Sequence, residues 1–338
     1  MVLVVGNGKS TAREAIYRVL NRHFKLGKEI VVCQDDAENL DFFLKKSRLP
    51  ILVVTHIGEY HPEKEFFAGE IEQSPGIRKL AETLPAFACL ILNFDDETVR
   101  DIKNQSRAHP LTFGFGMRSD VRVTDIVLTQ FPALGTNFKI NYDGNIVPIW
   151  LENLFGKENI YAALAAAAVG KILGLNLVEI SEALKNYKGL VGRMRLIEGI
   201  KKSWVLDDSE NASSLSMLES LEVLKGIEGV GRKIAVLGDI LDIGKYALEA
   251  HEAIGEKVKG SADLLFTVGE RAKFFAQGAK MKGMAEDKIF QFDDAVSAAK
   301  ALQEEIKEGD LILVDGSKEM NMTEIVKELE FSLDLPSS

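Results

Sequence analysis

Short aliphatic and β-branched runs alternate along this chain with helix-length amphipathic segments, and the alternation occurs twice. Strand-length apolar runs stand at residues 2–5, 29–33, 51–55 and 88–92, with helical periodicity at 11–24, 39–47 and 76–84 between them. Strands that are apolar on both faces need cover on both faces. This order therefore predicts an α/β fold, a parallel sheet with helices on either side. From 122 to 149 the period becomes two, with an NYDGN turn at 141–145, which predicts an antiparallel flap. An Ala-rich helix and a second helix near 177–187 follow. The alternation then restarts, with strands at 204–206, 233–237, 264–268, 289–292 and 311–314. Helices are expected between and after them, at 214–225, 248–258, 270–282, 295–306 and 322–329. KGLVGR, residues 188–193, has two glycines and no period, and marks a boundary. The expectation is a mostly parallel sheet domain over 1–191, a smaller Rossmann-like domain over 192–332 and a frayed tail at 333–338.

A length of 338 residues suits two domains, and 46% hydrophobic with 27% charged residues is an ordinary globular balance. The net charge of −10 argues against nucleic acid as a partner, because phosphate neutralisation needs basic patches. Cys33 and Cys89 are the only cysteines. They fit no metal spacing and imply a reducing, cytoplasmic setting without disulfides. The chain opens on an apolar run leading straight into a glycine turn, with no basic leader, so no signal peptide is expected. The longest apolar run, residues 161–178, is interrupted by Lys171 and dominated by Ala; it is expected to be a buried helix rather than a membrane span.

GNGKST, formed by Gly6, Asn7, Gly8, Lys9, Ser10 and Thr11, follows a strand and opens a helix. Backbone amides and the helix dipole there suit phosphates, Lys9 adds a mobile cation and Ser10 a hydroxyl for Mg²⁺. The first glycine of the usual phosphate loop is missing, and a plain strand–helix turn is the alternative. THIGEYHPE, residues 55–63, ends a strand with Glu59 and His61; it is either a metal contact or a solvated loop. In GKENIYAALAA, residues 156–166, Asn159 either contacts a base edge or caps the helix. GRMRLIEGIKKSWVLDDSENASSLSM, residues 192–217, holds Arg193, Asp207, Asp208, Ser209 and Asn211. An arginine, a strand-end acid and a polar helix start in this order can surround one polyanion. Alternatively, Asp208 or Ser209 caps the next helix. VLGDILDIG, residues 236–244, with His251, and VDGSK, residues 314–318, place further polar groups at strand ends.

In this order these motifs resemble the Mur ligase family over about residues 2–330. That family has a phosphate loop, T-N-I-G-x-A-H-x-E, N-x-D-D and G-x-H-N-x-x-N-A-L-A-A in its middle domain. Its C-terminal domain has G-R-M, D-D-S-Y-N-A-N-P-x-S-M, L-G-D-M-x-E-L-G with a following His, and K-G-S. The resemblance implies an ATP-binding, phosphate-loop domain followed by a Mur ligase C-terminal domain. It implies ATP-dependent amide formation through an acyl phosphate, in peptidoglycan precursor synthesis, with ATP and Mg²⁺. Lys9 and Arg193 would be catalytic. Lys9 and Ser10 would meet the β/γ-phosphates and Mg²⁺, His61 the metal, Asn159 the adenine, Arg193 the γ-phosphate and Asp208 the ribose. Ser209 and Asn211 would position an incoming amino acid or dipeptide, which joins a carboxylate acceptor.

The departures are equally specific. No counterpart of the family's UDP-sugar domain precedes Val2, so a separate UDP-sugar-binding chain is the expected partner. The acidic metal ligand falls on Gln34, the modified lysine near Ile77, the Tyr of D-D-S-Y-N on Glu210, and the Lys of K-G-S on Asp315. A degenerate relative that holds a nucleotide or a partner without turnover is the alternative expectation.

Overall fold

The computed structural model describes residues 1–34, 42, 44–57, 74–130, 132–210, 212–241, 243 and 247–331. The first sheet contains β1 (Val2–Val5), β2 (Val32–Gln34), β3 (Ile51–Val54), β4 (Cys89–Asn93), β5 (His109–Gly114), β6 (Val121–Thr129), β7 (Gly135–Tyr142) and β8 (Asn145–Glu152). Their order is β2-β1-β3-β4-β5-β6-β7-β8, parallel as far as β6 and antiparallel beyond it. The helices of this half are α1 (Lys9–Asn21), α2 (Ser74–Glu82), α3 (Glu97–Ile102), α4 (Gly156–Ile172) and α5 (Leu177–Leu184).

Two cores account for the continuous apolar strands. Val2, Val4, Ile51, Val53 and Ile91 face one way, onto α1 and α4. Leu3, Val5, Leu52, Val54, Leu90 and Leu92 face the other, onto Ile77 and Leu80 of α2 and Val99 and Ile102 of α3. A strand with period-two side chains covered on both faces has no polar position to spare. The same logic makes α4 apolar all round. Its run from Ala162 to Gly170 is buried, as expected for a helix enclosed within a domain. No helix among the described residues is long and apolar enough to cross a membrane.

The second sheet contains β9 (Arg195–Glu198), β10 (Trp204–Asp208), β11 (Lys233–Gly238), β12 (Leu264–Val268), β13 (Ile289–Phe292) and β14 (Leu311–Asp315), in the order β13-β12-β11-β14-β10-β9. All pairings are parallel except β9 with β10. Its helices are α6 (Ser214–Gly226), α7 (Ala247–Val258), α8 (Lys273–Met281), α9 (Ala295–Glu305) and α10 (Thr323–Leu329).

Some elements differ from expectation. β5 contains Pro110 and ends in Gly114, and β9 is a four-residue edge strand, so neither carries a clear strand pattern. α3 has six residues, too short for a helical period to emerge. The helix expected at 270–282 begins at Lys273, because the amides of Arg271 and Ala272 go to the Asp239 carboxylate. The helix expected at 39–47 is described only at 42 and 44–47, and the tail expected at 333–338 lies outside the described residues.

A short backbone ladder joins the two sheets. The Phe155 amide donates to Met194 O at 3.0 Å, and the Leu196 amide to Asn153 O at 2.8 Å. Phe155 and Leu134 come from the first half of the chain but pack, fully enclosed, into the core beneath the second sheet. The salt bridge of Lys157 with Glu219, at 2.5 Å, adds a second tie from α4 to α6. Phe155→Ala should therefore cost about 3–5 kcal/mol, as an enclosed aromatic does. Urea unfolding followed by far-UV circular dichroism measures that loss. A cost below about 1 kcal/mol would mean the junction does not depend on this ring.

Candidate nucleotide site between the two sheets

The loop from β1 to α1 is built on two glycines. Gly6 has φ +98° and Gly8 φ +75°, the left-handed region that residues with a Cβ avoid. A Cβ on Gly6 would also lie 2.4 Å from His56 O. The loop is tied to the end of β3. The Asn7 amide donates to His56 O at 2.6 Å, and the Thr55 hydroxyl lies 2.6 Å from Asn7 O and 2.9 Å from Val5 O. Gly8 stands at the N-cap of α1 and offers no side chain to the first turn, so the helix start is shaped to receive an external anion.

Arg193 approaches from the other sheet. Its neighbours Gly192 and Met194 have φ +70° and +51°, which turns the chain sharply on both sides of it. Asp207 and Asp208 at the end of β10 hold this turn. Asp207 Oδ2 accepts the Gly192 amide at 2.7 Å and Asp208 Oδ1 accepts the Met194 amide at 3.2 Å. Asn159, one turn into α4, donates from Nδ2 to Phe155 O at 2.8 Å and to Arg193 O at 3.0 Å. Its Oδ1 accepts the Tyr187 hydroxyl at 3.0 Å. With its backbone held on every side, Arg193 extends its guanidinium to Glu158 Oε2 at 3.5 Å. The other Glu158 oxygen accepts the Thr11 hydroxyl. Glycine loop, α4 and Arg193 thus converge on one point.

The residues singled out in the sequence are brought together, but several point elsewhere. Asn159 is 1% exposed and Asp208 4%, and both spend their polar atoms bracing Arg193 rather than facing a ligand. Asn159 does not cap α4 either: it bonds back to Phe155 O from within the helix. Ser209 is 0% exposed and its hydroxyl donates to Asp207 Oδ1 at 2.7 Å. The cap of α6 is Ser213, in a reciprocal box with Ser216, and not Asp208 or Ser209. His251 is a buried brace that accepts the Ile240 amide on Nε2, with burial lowering its pKa. His61 and Asn211 lie outside the described residues. One participant went unnoticed in the sequence. Glu158 reads locally as a favourable acid in a helix first turn. Asp207, named in the sequence cluster without a role, accepts the Gly192 amide.

Among the described residues the fit to a metal is poor. Ser10 Oγ accepts Gln34 Nε2 at 2.9 Å, so a neutral amide stands where the resemblance places a carboxylate ligand. Ile77 is core, and no group of three His, Cys, Asp or Glu among the described residues is arranged to hold a metal ion. The fit to an anion is better: a carboxylate of the chain itself already rests between Thr11 and Arg193.

Residues 192–318, the stretch that supplies Arg193 and its carboxylate supports, match the family described as Mur ligase, glutamate ligase domain. That stretch is similar to the C-terminal domain of Mur ligases, and the rest of the chain is similar to Mur ligases through the relatives that follow. It is 26% identical to the UDP-N-acetylmuramoyl-tripeptide–D-alanyl-D-alanine ligase of Bacillus subtilis, over 96% of this chain and 74% of that one. The corresponding Escherichia coli ligase is 32% identical over 63% of this chain and 45% of its own length. The MurF ligase of Thermotoga maritima, solved in complex with ADP, superposes with a TM-score of 0.75 at 20% identity, covering 97% and 79% of the two chains. MurF of Acinetobacter baumannii superposes at 0.76 with 22% identity, covering 97% and 75%.

In the Mur ligase C-terminal domain of this chain, Asp208 and Asp315 are neighbours in the register of β10 and β14. Asp315 is fully buried, with the Ser220 hydroxyl and the Gly316 amide beside its carboxyl. Asp208 Oδ2 accepts the Ser220 hydroxyl at 2.7 Å. Burial pushes the Asp315 carboxyl up to about 8, and burial together with Asp315 raises Asp208 as well. The two acids titrate as a coupled pair rather than singly. A carboxyl raised in the folded state leaves that state holding more protons than the unfolded chain. Its contribution to stability is complete below about pH 4 and is lost as the pH rises through about 8. Thermal unfolding between pH 5.5 and 9 should show stability falling with pH, and Asp315→Asn should flatten that fall. An unchanged slope in the variant would rule out the raised Asp315 carboxyl as its source.

Proposed function

We propose that this chain is a Mur-type ATP-dependent amide ligase acting in peptidoglycan precursor synthesis in the cytoplasm. The observation that carries this reading is Arg193, held from the second sheet over the glycine loop of the first. Residues 1–191 serve as the ATP-binding domain and 192–332 as the domain that closes on it. An acceptor carboxylate oxygen attacks the γ-phosphorus of ATP, ADP departs and an acyl phosphate forms. The incoming amine nitrogen then attacks the acyl carbon, inorganic phosphate leaves and the amine loses a proton. Loop amides and Thr11 orient the phosphates, while Lys9 and Arg193 offset charge that develops on the transferred group. Approach of the two domains excludes water from the acyl phosphate. Asn159 and Asp208 serve by holding Arg193, and Ser209 and Asn211 lie on the amine side by resemblance. With Gln34 on Ser10, no step is assigned to Mg²⁺.

One observation favours a second reading, nucleotide binding without turnover: the neutral Gln34 amide on Ser10 removes a charge a metal-assisted transfer relies on. ADP release separates the two. The substrates are those named for the relatives, UDP-N-acetylmuramoyl-tripeptide and D-alanyl-D-alanine, supplied with ATP and Mg²⁺. Acceptor-stimulated release is expected, with Lys9→Ala and Arg193→Ala each lowering kcat/KM by about 10²–10³-fold. ATP binding without release under these conditions points to the second reading.

A further inference from the structure

We propose that Glu158 is an internal stand-in for a nucleotide phosphate, which ATP or ADP must displace to occupy the loop. The inference rests on reading the glycine loop as a nucleotide site. Glu158 lies in the first turn of α4 and is 29% exposed, so it stands at the cleft rather than in the core. One of its oxygens accepts the Thr11 hydroxyl and the other is 3.5 Å from Arg193 Nη1. Its side chain also lies 3.6–3.7 Å from where a Cβ on Gly8 would stand. A single carboxylate thus meets the first-turn hydroxyl and the cation of the second domain, and fills the space beside the loop glycine. Those are the groups a phosphate would engage, and a carboxylate offers them the same negative oxygens.

A carboxylate and a phosphate cannot share this space, because two anions a few ångströms apart in a half-buried cleft repel strongly. Nucleotide entry therefore exchanges partners: Arg193 and Thr11 leave Glu158 for phosphate oxygens. Without nucleotide, Glu158 clasps Arg193 across the two domains, beside the Lys157–Glu219 pair that ties the same turn of α4 to α6. Glu158 is in these terms an affinity-setting residue, and removing its charge should strengthen nucleotide binding.

Calorimetric titration of ADP and of ATP into the full chain, the E158Q and E158A variants, and K9A tests this. E158Q keeps the size of the side chain and an oxygen for Thr11 but drops the charge. It should bind both nucleotides about tenfold more tightly than the parent, since an opposing charge has been removed from a partly desolvated anion site. E158A should also gain, and K9A should lose binding. A merely structural Glu158 would give weaker or equal binding in both Glu158 variants, and that result overturns the inference while leaving the nucleotide site in place. Absence of binding by every protein, each folded by circular dichroism, overturns the nucleotide-site reading and this inference with it.

Discussion

The cleft is referenced to three residues of backbone, 192–194, and to the buried groups that hold them. Left-handed φ at Met194 costs about 1 kcal/mol or more for a residue with a side chain. Against it stand two amide bonds to carboxylates, from Gly192 to Asp207 and from Met194 to Asp208, each of a kind worth about 1.5–3 kcal/mol. The carboxylate bonds win, so the sharp turn is the stable one. Asn159 then closes the third side. Its enclosed amide has no water to fall back on, and leaving one such group unmatched costs about 1–3 kcal/mol. The direction of the Arg193 side chain is a consequence of these contacts.

This changes what the polar motifs mean. G-R-M and D-D-S look like a roster of ligand contacts, yet among them only Arg193 is presented to the cleft. Asp207, Asp208 and Ser209 form the frame behind it. The pattern recurs at other strand ends. Asp96 accepts the amides of Ile57 and Val99, Asp95 those of Phe115 and Gly116, and Ser317 accepts that of Leu241. Backbone amides at the carboxyl ends of parallel strands lose their ladder partners there. A short polar side chain is the nearest substitute for one.

The alternation of the fold was readable because burial on both faces leaves so little choice of residue in β1, β3 and β4. β5, β9 and α3 were not readable, being short or broken by Pro and Gly, and held by neighbours rather than by their own pattern. For the site, proximity was legible but orientation was not. Asn159 and Asp208 are in the right neighbourhood, and only packing decides that they face inward. Glu158 escaped notice because an acid in a helix first turn already has a local reason to be there. Its contact with Thr11 spans 147 positions of sequence, which no local pattern reports.

Charge explains why support and presentation are separated so sharply. Asp208 bonds the Met194 amide more strongly when ionised, yet ionisation also sets it against Asp315, buried beside it. Coupled titration of the pair eases the conflict, since one charge suffices to hold the amide and a second would only repel. A lysine on β14 would have resolved it differently, by adding a cation behind Arg193. With Asp315 in that place, the positive potential at the cleft depends on the loop and on Arg193, and Glu158 lies directly on both. A phosphate therefore meets a site whose cation is already engaged, and it must outbid a carboxylate that has a single charge and a tethered backbone. A triphosphate carries more charge and more oxygens than that carboxylate, so the exchange favours polyanions over single carboxylates or sulfates.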